Sequence, residues 1–189
     1  YQSDITVDLS TNKVEIHKKI TEDWQVTVAD TGEFSSTGQR VSKIEKYIDE
    51  DFFLVTYGDC LSDIDVNDLI TFAKENNRLV TMTAAHPTGR SEVLPVDESN
   101  LLKNLNSVDK SESNAWANAC TYVLKKGVFK YLNGNYELER QLLPVLSEKK
   151  EIAVYRHRGF WCPVETKRDR VDLETRWNAG MAPWKIWKE

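Results

Sequence analysis

The feature that most constrains the fold is residues 51–70, whose sequence is DFFLVTYGDCLSDIDVNDLI. Four consecutive apolar residues at 52–55 predict a strand that is buried on both faces of a parallel sheet. The apolar run ends before Gly58, and Asp59 follows at the carboxyl end of the strand. Apolar residues then recur at helical spacing after Asp65, whose side chain suits the N-cap position. The stretch therefore predicts a strand, an acidic turn and a helix.

The acidic turn is a candidate ligand site. In open α/β sheets, ligands bind outside the carboxyl ends of the strands. A carboxylate at that place, such as Asp59, can hold a divalent metal over a bound phosphate. The alternative that this stretch leaves open is a solvated acidic loop without a ligand.

Length and charge narrow the class of protein further. A chain of 189 residues buries one core, so we expect a single domain over residues 1–189. The formal net charge of −5 lacks the basic footprint of a protein that binds a nucleic acid polymer, although small phosphate ligands remain compatible with it. No apolar run approaches the ~20 residues of a membrane span, and no signal-peptide pattern opens the chain. We therefore expect a cytoplasmic protein without a membrane partner.

The order of strand and helix patterns predicts an α/β sheet that is at least partly parallel. A polar loop precedes the helix that carries Val41, Ile44 and Ile48, and a polar surface loop is expected at 106–114. Thr166 is expected to cap the last helix, which ends at Gly180. The predicted strands are 5–9, 14–16, 24–28, 52–55, 79–85, 93–96, 101–105, 120–124 and 152–155, and a further helix is predicted at 138–146.

Several segments together resemble the glucose-1-phosphate cytidylyltransferases, which are sugar-phosphate nucleotidyltransferases. The set is specific, because generic α/β domains do not share the GFWxP and APWKxW patterns. A further segment, VADTG followed by TGQR within 28–40, is similar to the nucleotide-proximal loop of that family, so the resemblance covers essentially the whole chain. The other segments are TYGD at 56–59, PTGR at 87–90, RHRGFWCPVETKRD at 156–169 and APWKIW at 182–187.

The resemblance implies a Rossmann-like nucleotidyltransferase sheet, mixed and mostly parallel, with a small C-terminal extension. It implies that CTP and a sugar 1-phosphate, glucose 1-phosphate by family, give a CDP-sugar and pyrophosphate with Mg²⁺ as cofactor. In such a reaction the protein chiefly positions the two substrates and neutralises charge. The resemblance also implies a homo-oligomer.

Individual positions take their roles from the resemblance. Asp59 matches the first metal-binding aspartate and is a catalytic residue, and Glu165 stands where the second aspartate is expected. Lys110 is an out-of-register counterpart of a catalytic lysine. The remaining matches are Arg40, Tyr57 and Gly58 near the nucleotide, and Asn118 and Glu139 at the sugar. A surface residue at a helix start is an equal alternative for Arg40.

The chain also departs from the family pattern. The family sequence NGG is NAC at 118–120, where the methyl group of Ala119 is expected to obstruct the ligand. Gln141 replaces a second sugar-binding glutamate, and Glu165 is longer than the expected aspartate. The glycine-rich loop GxGTR and the lysine of a PKP segment, which open the family's sequences, have no counterpart here.

Two functional hypotheses follow. In the first, the chain is the C-terminal portion of a cytidylyltransferase and is inactive alone, because a segment before Tyr1 or a second chain supplies the phosphate loop. Without that segment, the strand at 52–56 is expected to show an unpaired edge, and the span to be poorly soluble or molten. In the second, the chain is a degenerate, non-catalytic subunit or binding module.

The cysteines support one further hypothesis. Cys60, Cys120 and Cys162 form no CxxC pair, which predicts reduced thiols. Each lies in a segment that lines the active site of the family, and the hypothesis is that the three thiols converge in one pocket, where they could bind a soft metal. The alternative is that each cysteine fills a space that a glycine leaves.

Overall fold

The computed structural model describes residues 4–17, 24–86, 93–94, 96–102, 116–134 and 136–187. The chain forms two compact units, Tyr1–Asp30 and Thr31–Glu189. The single domain expected over residues 1–189 stays a prediction. The predicted loop at 106–114 lies outside the described residues.

The first unit contains a hairpin of strands β1 (Ile5–Asp8) and β2 (Lys13–Ile16). Asn12 occupies the turn with a φ of 54°. All residues of both strands are exposed, and residues 24–28 form no strand. The expectation of three half-buried strands is therefore wrong, because two strands alone cannot cover an apolar face.

The second unit carries the larger sheet and the helices. The helices are α1 (Thr37–Lys43), α2 (Val66–Asn76), α3 (Leu143–Glu148) and α4 (Lys167–Asn178), and a π-helical turn, Leu138–Leu142, leads into α3. The strands are β3 (Phe52–Thr56), β4 (Cys60–Ser62), β5 (Val80–Ala85), β6 (Val93–Leu94), β7 (Trp116–Lys125), β8 (Ile152–Arg156) and β9 (Trp161–Pro163).

The main sheet has the strand order β3-β7-β5-β8, and β6 also pairs with β7. Strands β5 and β8 run parallel, whereas β7 is antiparallel to β3, β5 and β6. The α/β class and the mixed sheet are confirmed. The expectation of mostly parallel pairing is wrong for the described strands, because the long strand β7 runs opposite to each of its neighbours.

Burial within this sheet differs from the sequence prediction. The fully buried strand is β5, whereas β3 lies at an edge of the described sheet and is partly exposed. Leu54 is 39% exposed, and Phe53 packs its ring on Phe129 with centroids 5.3 Å apart. A continuous apolar run therefore does not mark burial on both faces here, because β3 has a described partner on one side only.

Helices cover both faces of the sheet. On one face, Leu69 and Ala73 of α2 pack on Val123. On the other face, the apolar residues of α3 and of the π-helical turn pack on Met82 and Leu124. The alternation of Val123 and Leu124 along β7 assigns these residues to opposite faces.

Two helix starts follow from local sequence. The Asp65 side chain accepts hydrogen bonds from the amides of Asn67 and Asp68 at 2.8 and 3.2 Å, which confirms it as the N-cap of α2. Thr166 and Asp169 form a capping box at the start of α4. Gly180 follows this helix with a φ of +68°, which confirms the predicted end.

A second, small sheet pairs β4 with β9 in antiparallel orientation. The turn before β9 is fixed by His157, whose Nε2 lies 2.7 Å from Asp63 Oδ1. After α4 the chain returns, and Trp184 packs on Phe160 with ring centroids 5.5 Å apart. No helix in the described part of the chain is long and apolar enough to cross a membrane.

Gly38 at the start of α1 gives a test of this packing. Its amide donates a hydrogen bond to the Tyr136 carbonyl oxygen at 2.9 Å, and an added Cβ would lie 2.6 Å from that oxygen. We expect Gly38→Ala to lower the free energy of unfolding by about 1–3 kcal/mol, because backbone must move to admit the methyl group. Urea denaturation measures the change.

Gly58→Ala is the matched control, because an added Cβ there meets no atom within 4 Å. The control is expected to unfold at the urea concentration of the wild type. Equal stability of the Gly38→Ala variant and the wild type would contradict the close packing of α1 on the Tyr136 backbone.

Candidate functional site

The pairing of β4 with β9 brings the two predicted metal ligands together. Cys60 lies opposite Pro163 in this pair. One residue further out, the Val164 amide donates a hydrogen bond to the Asp59 carbonyl oxygen at 2.7 Å. Asp59 precedes β4 and Glu165 follows β9, so their exposed side chains lie at the same end of this strand pair, although the two residues are 106 positions apart in sequence.

The Cys60 and Cys120 thiols lie beside these carboxylates. The hydrogen bond with Cys120, together with burial, raises the pKa of the Cys60 thiol above its usual range. The same hydrogen bond lowers the pKa of the Cys120 thiol, and burial acts in the opposite sense. Three carboxylates also oppose ionisation of this thiol, namely those of Glu139, Asp59 and Glu165. Glu139 and Glu165 line the same cavity as Cys120, and Asp59 Oδ1 lies 3.9 Å from the sulfur of Cys60.

The third cysteine does not join the pair. Residues directly opposite in an antiparallel pair share a face of the sheet, so Cys60 shares its face with Pro163 and Cys162 shares the other face with Leu61. Among the described residues, no group of three or more His, Cys, Asp or Glu side chains is placed to hold a metal ion. The hypothesis of a three-thiol metal site is therefore wrong.

A hydrogen-bond chain joins the two predicted sugar-binding residues. Asn118 Nδ2 donates to the Tyr122 hydroxyl at 2.5 Å, and that hydroxyl donates to Glu139 Oε1 at 3.0 Å. The Tyr57 hydroxyl donates to the same carboxylate oxygen at 2.5 Å. Burial, followed by the contact with Glu139, raises the pKa of both tyrosines, so both hydroxyls keep their protons at neutral pH.

The local backbone around Glu139 is unusual. Glu139 lies in the π-helical turn, a conformation that is frequent at functional sites. Gln141 Oε1 accepts a hydrogen bond from the Glu137 amide at 2.7 Å, so this side chain closes the turn. Gln141, which stands where the resemblance implies a glutamate, therefore uses its side chain to bind the backbone amide of Glu137.

Two cavities meet at Glu139. The first, of about 480 Å³, is lined by Ser36, Thr37, Arg40 and Tyr57 among others. The second, of about 230 Å³, is lined by polar residues of β7, by the end of β9 and by apolar core residues. Its polar lining consists of Asn118, Cys120, Glu139, Arg140 and Glu165.

The predicted nucleotide-binding residues differ in their surroundings. The Arg40 guanidinium donates to Thr31 Oγ1 at 2.7 Å and to the Glu33 carbonyl at 3.1 Å while it lines the larger cavity. Gly58 is exposed, with open space where a side chain would be. Lys110 and the PTGR segment at 87–90 lie outside the described residues.

A bulge in β7 shapes the smaller cavity. Met82 of β5 lies opposite Tyr122, and Ala84 lies opposite Asn118, so β7 advances four residues where β5 advances two. Cys120 lies in this bulge with a φ of 58°, in the left-handed region that favours glycine. A glycine, which the resemblance to the NGG pattern implies at this position, adopts such a conformation without strain.

The effect expected of Ala119 is not observed. Ala119 is 1% exposed and packs with Ala85, Ala117 and Trp161. Its methyl group is therefore part of the core, and it does not line either of the two cavities. The residue of the NAC segment that changes the site is Cys120, whose side chain lines the smaller cavity.

Sequence reasoning missed Tyr122 and Thr37. Tyr122 is fully buried, and in sequence it has the spacing of an ordinary core residue of β7. Thr37 Oγ1 accepts a hydrogen bond from the Leu138 amide at 2.9 Å, which ties the start of α1 to the π-helical turn. The hydrogen bonds between Tyr122 and Glu139 and between Leu138 and Thr37 join residues that are distant in sequence. No local sequence pattern therefore predicts them.

Comparison with known proteins shows similarity along the whole chain. The chain is 35% identical over 190 residues to a glucose-1-phosphate cytidylyltransferase of Salmonella typhi, with 100% of this chain and 73% of that protein covered. No family model matches.

Among solved structures, HddC from Yersinia pseudotuberculosis superimposes with a TM-score of 0.63 at 19% identity, over 77% of this chain and 64% of that one. The structure of HddC complexed with GMP-PN gives a TM-score of 0.62 at 18% identity with the same coverage. These structures support the fold, which is that of a nucleotidyltransferase.

The positive φ of Cys120 gives a test of the bulge. We expect Cys120→Gly to leave the melting temperature unchanged or raise it, because relief of the left-handed strain, about 1–2 kcal/mol, outweighs the extra freedom of glycine in the unfolded chain. Cys120→Val is expected to destabilise by roughly 1–3 kcal/mol, because a β-branched side chain is poorly tolerated at positive φ. Thermal denaturation of both variants measures the difference, and a Cys120→Val variant as stable as the wild type would contradict the bulge.

Proposed function

Because this chain belongs to the family of the glucose-1-phosphate cytidylyltransferases, we propose that it acts in forming a CDP-sugar and pyrophosphate from CTP and a sugar 1-phosphate, glucose 1-phosphate first among them. The family membership rests on 35% identity over the whole chain, which covers 73% of the relative. The choice of cytosine and of glucose is part of the proposal.

One observation carries the proposal beyond family membership. Asp59 and Glu165 lie at the same end of the β4–β9 pair, and Glu165 lines the cavity that also contains Asn118 and Glu139. A pair of exposed carboxylates beside a polar pocket suits a reaction in which a phosphate group is transferred next to a bound sugar.

The donor set fits Mg²⁺. This ion takes oxygen ligands and is usually bound through one or two carboxylates, with substrate phosphates and waters completing the octahedron. Asp59 and Glu165 would hold it, and the bound ion would neutralise charge on the transferred phosphate. The two residues lie at the same end of the β4–β9 pair, so the additional methylene of Glu165 alters its reach without separating the pair.

The proposed reaction is an in-line displacement. A phosphate oxygen of the sugar 1-phosphate attacks the α-phosphorus of CTP, a new P–O bond forms, and the bond from the α-phosphorus to the bridging oxygen breaks with release of pyrophosphate. In this scheme Asn118 and Glu139 bind the sugar hydroxyls in the smaller cavity. Arg40 contacts the nucleotide with Tyr57 and Gly58 nearby, and Lys110 takes the catalytic role that its family counterpart implies.

The main alternative is a degenerate, non-catalytic subunit or binding module. The observation that favours it is Cys120, which places a thiol in a cavity where relatives have a glycine. A larger side chain there reduces the room for a ligand, while Asn118 and Glu139 keep their hydrogen bonds. We further propose a cytoplasmic homo-oligomer.

An assay of pyrophosphate release tests the function. The protein is incubated with each of the common nucleoside triphosphates, Mg²⁺ and glucose 1-phosphate, first alone and then with an added chain that carries a glycine-rich phosphate loop. We expect CTP to be the preferred nucleotide, and we expect product to form when the added chain is present. A folded sample that binds glucose 1-phosphate but releases no pyrophosphate in any combination would favour the non-catalytic alternative.

The metal assignment predicts the effect of Asp59→Asn. We expect kcat/KM to fall by roughly 100-fold or more, because the variant loses one of two charged ligands, while the exposed side chain leaves folding nearly unchanged. The readout is the dependence of the initial rate on Mg²⁺ concentration. Asp65→Asn is the matched control, since asparagine also caps helices and Asp65 belongs to the same acidic turn. Wild-type activity of the Asp59→Asn variant would contradict the assignment.

Glu165→Asp is a separate test of the same site. The change restores the residue of the family, and we expect activity to be kept or raised, because the shorter side chain fits the octahedral geometry of Mg²⁺. The rate is measured at saturating and at limiting Mg²⁺. A loss of activity as large as that of Asp59→Asn would show that the longer carboxylate is adapted to this chain.

A further inference from the structure

Tyr122 stands between the two residues that the proposal assigns to the sugar. The side chain is fully buried in β7, and its hydroxyl contacts both Asn118 Nδ2, at 2.5 Å, and Glu139 Oε1, at 3.0 Å. A buried tyrosine contributes apolar packing through its ring, which a phenylalanine would also supply. The hydroxyl is the part that needs a separate explanation.

The direction of each hydrogen bond in this chain is fixed. An ionised carboxylate only accepts, so the single proton of the Tyr122 hydroxyl points to Glu139. The hydroxyl oxygen must then accept from its other neighbour, which orients the amide nitrogen of Asn118 toward it. The Cys120 amide independently requires the same orientation, because it donates to Asn118 Oδ1 at 3.0 Å.

These hydrogen bonds determine which polar atoms of Glu139 and Asn118 remain to bind a ligand. Glu139 Oε1 receives the hydroxyl protons of both Tyr122 and Tyr57, so Oε2 is the oxygen left to accept from the cavity among the described contacts. One N–H of Asn118 is used by Tyr122, and the second N–H is left to donate. The site therefore offers one acceptor and one donor, held by a common hydroxyl.

We propose that Tyr122 is a positioning residue that holds Glu139 as an acceptor and Asn118 as a donor toward two hydroxyl groups of the sugar. This inference rests on the proposed function, since it concerns the same pocket. A sugar hydroxyl donates to Glu139, and a second sugar oxygen accepts from Asn118. A polyhydroxylated ligand meets this pattern, and a ligand that lacks one of the two hydroxyls leaves a half-buried polar group of the cavity unpaired.

Tyr122→Phe tests the inference by direct binding. The variant keeps the ring and removes the hydroxyl, and Tyr155→Phe is the matched control, because the Tyr155 ring packs on Phe72 beside α2. Titration calorimetry measures the Kd of the wild type and of both variants for glucose 1-phosphate and, in a separate titration, for CTP. All three proteins are titrated under the same conditions. We expect the Kd for glucose 1-phosphate to rise about tenfold or more for Tyr122→Phe, as for loss of a hydrogen bond to a charged group. The Kd for CTP, and both constants of the control, are expected to stay within about twofold.

A double-mutant cycle distinguishes positioning from a general structural effect. Because Tyr122 acts in part through Glu139, the double variant Tyr122→Phe/Glu139→Gln is expected to lose less affinity for glucose 1-phosphate than the product of the two single losses. Deoxy analogues of glucose 1-phosphate add a second readout, because Tyr122→Phe is expected to lose the discrimination between the parent sugar and the analogue that lacks the recognised hydroxyl. Circular dichroism at the titration temperature verifies that each variant is folded.

Three results would overturn the inference: wild-type affinity of Tyr122→Phe, multiplied losses in the double variant, or no binding of glucose 1-phosphate by the wild type. The proposed function is tested independently of these binding measurements, by the assay of pyrophosphate release. If the wild type and the variants bind glucose 1-phosphate as expected but no pyrophosphate is released, the result supports the positioning role of Tyr122 and contradicts the proposed catalysis.

Discussion

The pairing of β7 with two neighbours is the constraint on which the rest of the structure depends. This ten-residue strand is antiparallel to β3 on one side and to β5 on the other. It therefore sets the position of the acidic turn that follows β3, while its own residues Asn118, Cys120 and Tyr122 supply one wall of the site. The bulge opposite Thr83 adds residues to β7 where the cavity begins, and Thr83 Oγ1 donates to the Thr121 carbonyl at 2.7 Å, so the irregular backbone keeps a partner.

Features encoded by neighbouring residues could be predicted from the sequence, and features encoded by distant contacts could not. Asp65 and Thr166 were recognisable as N-caps because capping joins residues two or three positions apart. The burial of β3 was mispredicted, because the same apolar run suits a central strand or the edge of a sheet. Strand direction and the β7 bulge depend on partners about 30 to 70 residues away, as the registers with β5 and β3 show.

The site was predictable to the extent that the resemblance located its residues. Asp59, Glu165, Asn118 and Glu139 do come together, and composition or periodicity alone would not have joined them. The cysteines show the opposite case: three positions in related motifs suggested one cluster, yet strand alternation turns Cys162 to the other face of β9. Tyr122 could not be recognised from the sequence, because a buried tyrosine has the pattern of an ordinary core residue. The same burial strengthens the hydrogen bonds of its hydroxyl to two polar side chains.

Electrostatics links the acidic character of the site to the substrates proposed for it. The Glu139 and Glu165 carboxylates line one cavity with Cys120, and the Asp59 carboxylate lies 3.9 Å from the thiol of Cys60. Two like charges about 4 Å apart near a protein surface repel by roughly 4 kcal/mol, so a phosphate group cannot approach such a cluster closely unless a cation lies between. Glu139 differs from the other two carboxylates, because two tyrosine hydroxyls already stabilise its charge. The remaining charge is at Asp59 and Glu165, where the proposed reaction would require a counter-ion for the transferred phosphate, and in the same proposal Glu139 would recognise neutral hydroxyl groups.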